Sequence, residues 1–234
     1  MKKSIFLLAA ILMASVCSAQ TLDEIANKYY AANGLENLEK AQTLIIQGKT
    51  SQMGMELPLT IMVKRPDKVK VLQEYNGMKI IIAFDGEKGY MVNPLTGATD
   101  PVEIPAEQLG SVQEYNMFND SFMKAFKEGK VTLKGEEEVE GKPAYKLAVT
   151  VADGSVTTIF IDKETFLTLK STQTVSQMGQ EMEVESYVRE HKEVNGVRFG
   201  SVISQFVNGM ELGGMTLEKI EIDTEIDDSV FIIQ

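Results

Sequence analysis

The chain is short of the groups that most enzymes use. Of its 234 residues, one is histidine and one is cysteine, so neither a histidine cluster for zinc nor a pair of thiols can be assembled. The single histidine, His191, is flanked by Glu190 and Glu193. Adjacent residues of a strand point to opposite faces, so this trio reads as an exposed strand histidine and not as a metal site. There is no Gly-x-Ser-x-Gly elbow, phosphate-binding loop or dinucleotide fingerprint. The run Glu136-Glu137-Glu138 ahead of Gly141 reads as solvated charge at a hairpin. These absences point away from catalysis, and no catalytic, metal-binding or cofactor-binding residue is assigned. A carboxylate pair built from distant strands is the enzymatic arrangement that a sequence does not reveal.

Positive charge is scarce as well. Lys and Arg number 23 against 34 Asp and Glu, a net charge of −11. That balance excludes nucleic acid as a partner and argues against holding anionic lipid surfaces through bulk charge. The longest apolar run, Ile5 to Val16, is shorter than the roughly 20 residues a membrane-spanning helix needs.

That run has another reading. Lys2 and Lys3 precede it, and Cys17-Ser18-Ala19 follows with small residues where a signal peptidase reads, so residues 1–19 form an expected signal peptide. Cleavage after Ala19 makes Gln20 the new N-terminus and places the protein in the periplasm. A lipid anchor at Cys17 fits poorly, because Val16 and Ala14 stand where lipid attachment calls for a small residue and a leucine. Cleavage would also remove the cysteine, so the exported chain would use no disulfide.

Residues 20–234 are long enough for one large domain, and no Pro-, Gly- or Ser-rich linker divides them. Thr21 followed by Glu24 is a capping-box pattern. Leu22, Ile25, Ala26 and Tyr29 lie on one helical face, and Asn33-Gly34 gives the stop. From Thr43 the apolar period drops to 2. Met55, Leu57, Leu59, Ile61 and Val63 alternate with other residues, and Met78, Ile80, Ile82 and Phe84 do so after the turn at Asn76-Gly77. Further stripes follow at 145–151, 156–160, 182–184 and 197–199, separated by Asp153-Gly154, Asn195-Gly196 and Asn208-Gly209. Many short strands joined by hairpins make an antiparallel meander.

One stretch, Pro105 to Gly129, reads as helix and loop, with Phe118, Phe122 and Phe126 repeating every four residues on one helix face. Eleven of the 13 methionines lie beyond the signal, many on apolar faces. Unbranched, polarizable methionine suits a cavity that must accept chains of varying shape, although ordinary core packing uses it too.

Several motifs are familiar in their order and spacing. Val63-Lys64-Arg65-Pro66-Asp67-Lys68-Val69 resembles the arginine-proline strand of the LolA/LolB-like lipoprotein carriers. Phe84 to Pro94 resembles that family's next hairpin, and Ile159 to Thr165 its later aspartate turn. Ile226 to Phe231 is similar to the closing segment of related Bacteroidota sequences called outer-membrane lipoprotein-sorting proteins. The resemblance implies a mostly β fold, an incomplete antiparallel barrel with helices over its apolar concave face. It implies lipoprotein acyl chains or a related amphiphile as ligand, with an inner-membrane donor and an outer-membrane acceptor as partners. It also implies that Arg65 latches the helical lid through hydrogen bonds. Met55, Leu57, Leu59, Ile61, Met78, Ile80 and Ile82, with Phe118, Phe122 and Phe126 of the lid, are the expected ligand-binding residues. A second function stays open: the same fold resembles domains that sense mislocalised lipoproteins and signal through a protein partner.

Overall fold

The computed structural model describes residues 20–52, 54–151, 154–177 and 180–233. The expected signal peptide with Cys17 lies outside them, as does Asp153 of one expected turn. The first helix, α1 (Leu22–Ala32), starts as its capping box requires. The Thr21 hydroxyl accepts from the Glu24 N–H at 3.3 Å, while the Thr21 N–H donates to the Glu24 carboxylate at 3.0 Å. Asn33 ends α1, and Gly34, at φ 65°, turns the chain into a second helix, α2 (Leu35–Lys40). A side chain at Gly34 would sit 1.8 Å from the Gly196 carbonyl, so only glycine lets this corner rest on the strands.

Six strands follow: β1 (Thr43–Gln52), β2 (Met55–Lys64), β3 (Lys68–Tyr75), β4 (Met78–Phe84), β5 (Gly89–Asn93) and β6 (Ala98–Ile104). Two short helices, α3 (Leu109–Gln113) and α4 (Ser121–Lys127), interrupt them. Seven more strands complete the fold: β7 (Val131–Val139), β8 (Lys142–Thr150), β9 (Val156–Asp162), β10 (Thr168–Gln177), β11 (Gln180–Val194), β12 (Val197–Val207) and β13 (Met210–Ile222). The turns Asn76-Gly77, Asn195-Gly196 and Asn208-Gly209 each place both residues at positive φ, the conformation that matches the twist of a tight hairpin.

All thirteen strands form one antiparallel sheet in the order β6-β5-β4-β3-β2-β1-β13-β12-β11-β10-β9-β8-β7. Each hairpin neighbour is a sheet neighbour, and a single long-range seam, β1 against β13, joins the two wings. The strands β6 and β7 are consecutive in the chain yet stand at the two free edges. The sheet is therefore an incomplete barrel, left open where residues 105–130 run instead of a hairpin.

The helices all join one face. Ile25, Ala26 and Tyr29 of α1, Leu35 and Leu38 of α2, Val112 of α3, and Phe122, Met123 and Ala125 of α4 share a buried cluster with inward residues of both wings. Those inward residues include Leu44, Ile46, Val63, Val69, Leu147, Ile161 and Val197. On the outer face, Val139, Ala144, Phe160 and Leu169 make a smaller cluster. Lys64 and Lys70, which alternate with the inward Val63 and Val69, donate to the Ile226 and Val230 carbonyls and hold the C-terminal segment there.

Three expectations change. Phe118 does not share a helix with Phe122 and Phe126, because Asp120 caps α4 and starts it after Phe118. Glu136, Glu137 and Glu138 lie within β7, where Glu136 and Glu137 pair with Lys163 and Lys146; the turn itself is Glu140-Gly141. His191 is half-buried, because β11 keeps neighbours on both sides.

Candidate functional site

Strand register arranges the inward face in rows. Val63, Val69 and Phe84 stand side by side on β2, β3 and β4, and none is more than 8% exposed. One step along come Ile61, Val71 and Ile82, then Leu59, Gln73 and Ile80. Burial fades along these rows: Leu59 is still buried, whereas Gln73 and Ile80 are half-exposed. The helices cover the first rows and stop short of the later ones.

Beyond the covered rows the register draws a band across the middle of the sheet. Leu57 opposes Thr50, Thr50 opposes Met215, Met215 opposes Ile203, and Ile203 opposes Val188. All five are half-buried on the inward face. The next row, Met55, Gln52, Gly213, Gln205 and Ser186, is mostly polar. A closed core, a half-exposed apolar band and a polar rim thus follow one another along the same strands. Within the band the Gln73 side-chain amide donates to the Thr50 hydroxyl at 2.7 Å, leaving a polar foothold among apolar neighbours.

The expected ligand residues distribute over this gradient. Leu59 and Ile61 are core, Ile82 packs on the edge of the core, and Leu57, Met78 and Ile80 are half-buried. Met55 is 45% exposed at the rim. Sequence reading missed Met215, Ile203, Val188 and the half-buried Met91, which faces Ile82. Alternation within 184–188 was the signal that could have found Val188.

The helical cover has its own internal bonds. Phe122 is 2% exposed, meets the Tyr29 ring edge-on with centroids 4.8 Å apart, and stacks on Phe126 at 6.4 Å. Asp120 accepts from the Met123 N–H at 2.7 Å, capping α4, and from the Tyr29 hydroxyl at 2.8 Å, tying α4 to α1. Burial raises the Asp120 carboxyl above its ordinary value. Burial and the neighbouring Asp120 push the Tyr29 phenol well up. Arg65 donates from Nε to the Ala41 carbonyl at 2.7 Å and from Nη2 to the Leu38 carbonyl at 3.1 Å. Its hydrogen bonds thus run to the end of α2. The 105–130 segment meets it through Phe118, whose ring centroid lies 4.4 Å from the guanidinium.

Among the described residues no group of three or more His, Cys, Asp or Glu side chains is placed to hold a metal. Burial lowers the pKa of His191, with Arg198 and Lys142 adding to it. No helix among the described residues is long and apolar enough to cross a membrane.

No family model matches the chain, and no curated protein matches it by sequence. Solved structures do. A LolA superfamily protein from Nitrosomonas europaea superposes with a TM-score of 0.56 at 14% identity, covering 86% of this chain and 97% of that one. The fold is LolA-like. A DUF1329 family protein from Desulfovibrio piger matches with a TM-score of 0.58 at 14% identity, covering 89% and 97% of the two chains. A domain from Vibrio parahaemolyticus, named for outer membrane lipoprotein sorting, gives 0.58 at 11% identity over 88% and 97%.

Proposed function

We propose that the protein is a periplasmic carrier that holds acyl chains of lipoproteins or related amphiphiles against the inward face of its open sheet. The observation that carries this reading is the half-exposed band of Leu57, Met215, Ile203 and Val188, set between a closed core and a polar rim. Apolar residues left half in water gain when a chain covers them, at about 0.8 kcal/mol for each buried CH₂ of the ligand. Met55, Met78, Met91 and Met215 add side chains that adapt to chains of different shape. The expected ligand residues fit the same role, with Leu57, Met78 and Ile80 as first contacts and Leu59, Ile61 and Ile82 reached when the helices move aside. Phe118, Phe122 and Phe126 then belong to the lid, and Arg65 secures α2 and Phe118 beside it. A signal peptide at 1–19 supplies the compartment. An inner-membrane donor and an outer-membrane acceptor are the implied partners, and no cofactor is required.

Native mass spectrometry of the exported protein, followed by titration of delipidated protein with a fluorescent fatty acid, tests this. The expected result is a co-purifying amphiphile and saturable binding with retained fold. Absence of both would end the carrier reading. The interaction-module alternative has one observation in its favour: the free edge β6, exposed from Thr99 to Glu103, could pair with a partner strand. A stable complex with one protein and no lipid would decide for it.

A further inference from the structure

A separate cleft of about 440 Å³ opens on the helical side, beside the end of β2 remote from Met55. It lies between α2 and α4, and its apolar floor is made by Leu35, Leu38, Phe118 and Met123. All four belong to the buried cluster that continues onto the sheet. Arg65, Lys124 and Lys127 also line it, with Glu39, Asp120 and Glu128.

The three bases and three acids of this cleft balance in charge, but the acid oxygens already have partners. Asp120 holds the Tyr29 hydroxyl and the Met123 N–H. Glu39 accepts from the Tyr30 hydroxyl at 2.7 Å, which lowers its pKa, and Glu128 pairs with Lys130 at 2.7 Å. The bases are less committed. Lys124 makes no ion pair among the described residues, and Lys127 reaches Glu39 only at 3.4 Å. Arg65 uses Nε and Nη2 on the α2 carbonyls. Its Nη1 has no hydrogen bond among the described residues. In a chain of net charge −11, the cleft is a local exception: its charges balance, N–H donors stand uncommitted at its lip, and its floor is apolar.

We propose that this cleft binds the anionic headgroup, phosphate or carboxylate, of an amphiphile, with Arg65, Lys124 and Lys127 as donors. The inference rests on the acyl-carrier reading and adds to it a specificity for anions. A chain attached to a headgroup held there meets Phe118 and Met123 at once and continues into the core when the helices part. Charge-assisted bonds to an oxyanion are roughly twice as strong as neutral ones, so the preference should be measurable.

The test compares dodecyl phosphate, dodecanoate and dodecanol by displacement of a fluorescent fatty acid from the mature protein. The anions should bind about tenfold tighter than the alcohol. The double variant Lys124→Gln, Lys127→Gln should sharply reduce that difference while retaining the affinity for dodecanol. Both lysines are exposed, so its thermal midpoint should stay close to that of the parent. Glu39→Gln, which releases Lys127, should tighten the anions severalfold. Phosphate ahead of carboxylate, or the reverse, identifies the headgroup, and either order supports the site. Dodecanol binding as tightly as the anions, or a preference undiminished in the double variant, overturns the headgroup site and leaves the carrier standing. If none of the three binds, the carrier reading falls and the cleft falls with it.

Discussion

Strand β2 presents one face along its whole length, yet its two ends live differently. Val63 is completely buried under the helices, and Met55, eight residues earlier on the same face, is 45% exposed. The same contrast crosses the sheet, from Leu44 and Ile46 at the closed end of β1 to Thr50 and Gln52 at the open one. Pairing of β2 with β1 runs unbroken from Lys64 to Met55, whereas pairing with β3 ends at Leu59. Cover separates the two ends further. Fully burying an aliphatic side chain contributes about 1.5–3 kcal/mol, and the open region forgoes part of that gain until something lies on it. A ligand at 100 times its Kd would then stabilise the fold by about 2.7 kcal/mol.

The contrast can be broken most forcefully at Phe122. Phe122→Asp places a carboxylate in the closed region, and the expected loss is about 3–5 kcal/mol or more in urea denaturation, with acyl binding lost as well. A stable variant would mean that the helices are not core there. Arg65→Leu removes two hydrogen bonds from a charged group to the Leu38 and Ala41 carbonyls, and about 1.5–3 kcal/mol is expected. Hydrogen exchange should quicken in 35–41 and 115–128; unchanged protection in both would take Arg65 out of the cover. In the open region the order of effects should invert. Leu57→Asp and Ile80→Asp are each expected to cost about 1 kcal/mol or less, because both sites are half-solvated, while acyl affinity falls about tenfold. Denaturation midpoints as low as that of Phe122→Asp would show both regions to be one core.

The smallest effect concerns pH. Burial raises Asp120 above the roughly 3.9 of a free aspartate, so the folded protein keeps this proton to higher pH than the unfolded chain does. Stability from this group is fully present below the unfolded value and is lost as pH rises through the folded one. Asp120→Asn keeps an acceptor for the Met123 N–H and removes that titration. The wild-type curve of stability against pH should therefore fall relative to the variant across the acidic range. Parallel curves would mean that Asp120 is not desolvated.

Much of this was legible from residue order. The capping box at Thr21, the Asn-Gly turns and the period of 2 in β2 and β4 are local signals, and they fixed element type and the inward face. Cover is not local. Met55 and Ile61 have equivalent places in the alternation, and only the position of helices distant in sequence decides that one is exposed and the other core. The Phe118 repeat misled for a related reason: spacing of four suggested one helix, but Asp120 offered a better cap and started α4 later. Arg65 was found by resemblance, whereas its partners on α2 were not, since α2 is six residues long and carries almost no periodic signal.

The seam between β1 and β13 has a mechanical consequence. Leu44 faces Ile222, so the chain enters β1 and leaves β13 at the same end of the pair. A load applied between the two ends would open the seam as a zipper, one rung at a time, and would not shear all its rungs at once. Before that load reached the seam, α1 and α2 would have to leave the buried cluster, and the C-terminal segment would have to leave Lys64 and Lys70. Once the wings separated, each would remain a meander whose hairpins are closed by near neighbours in the chain.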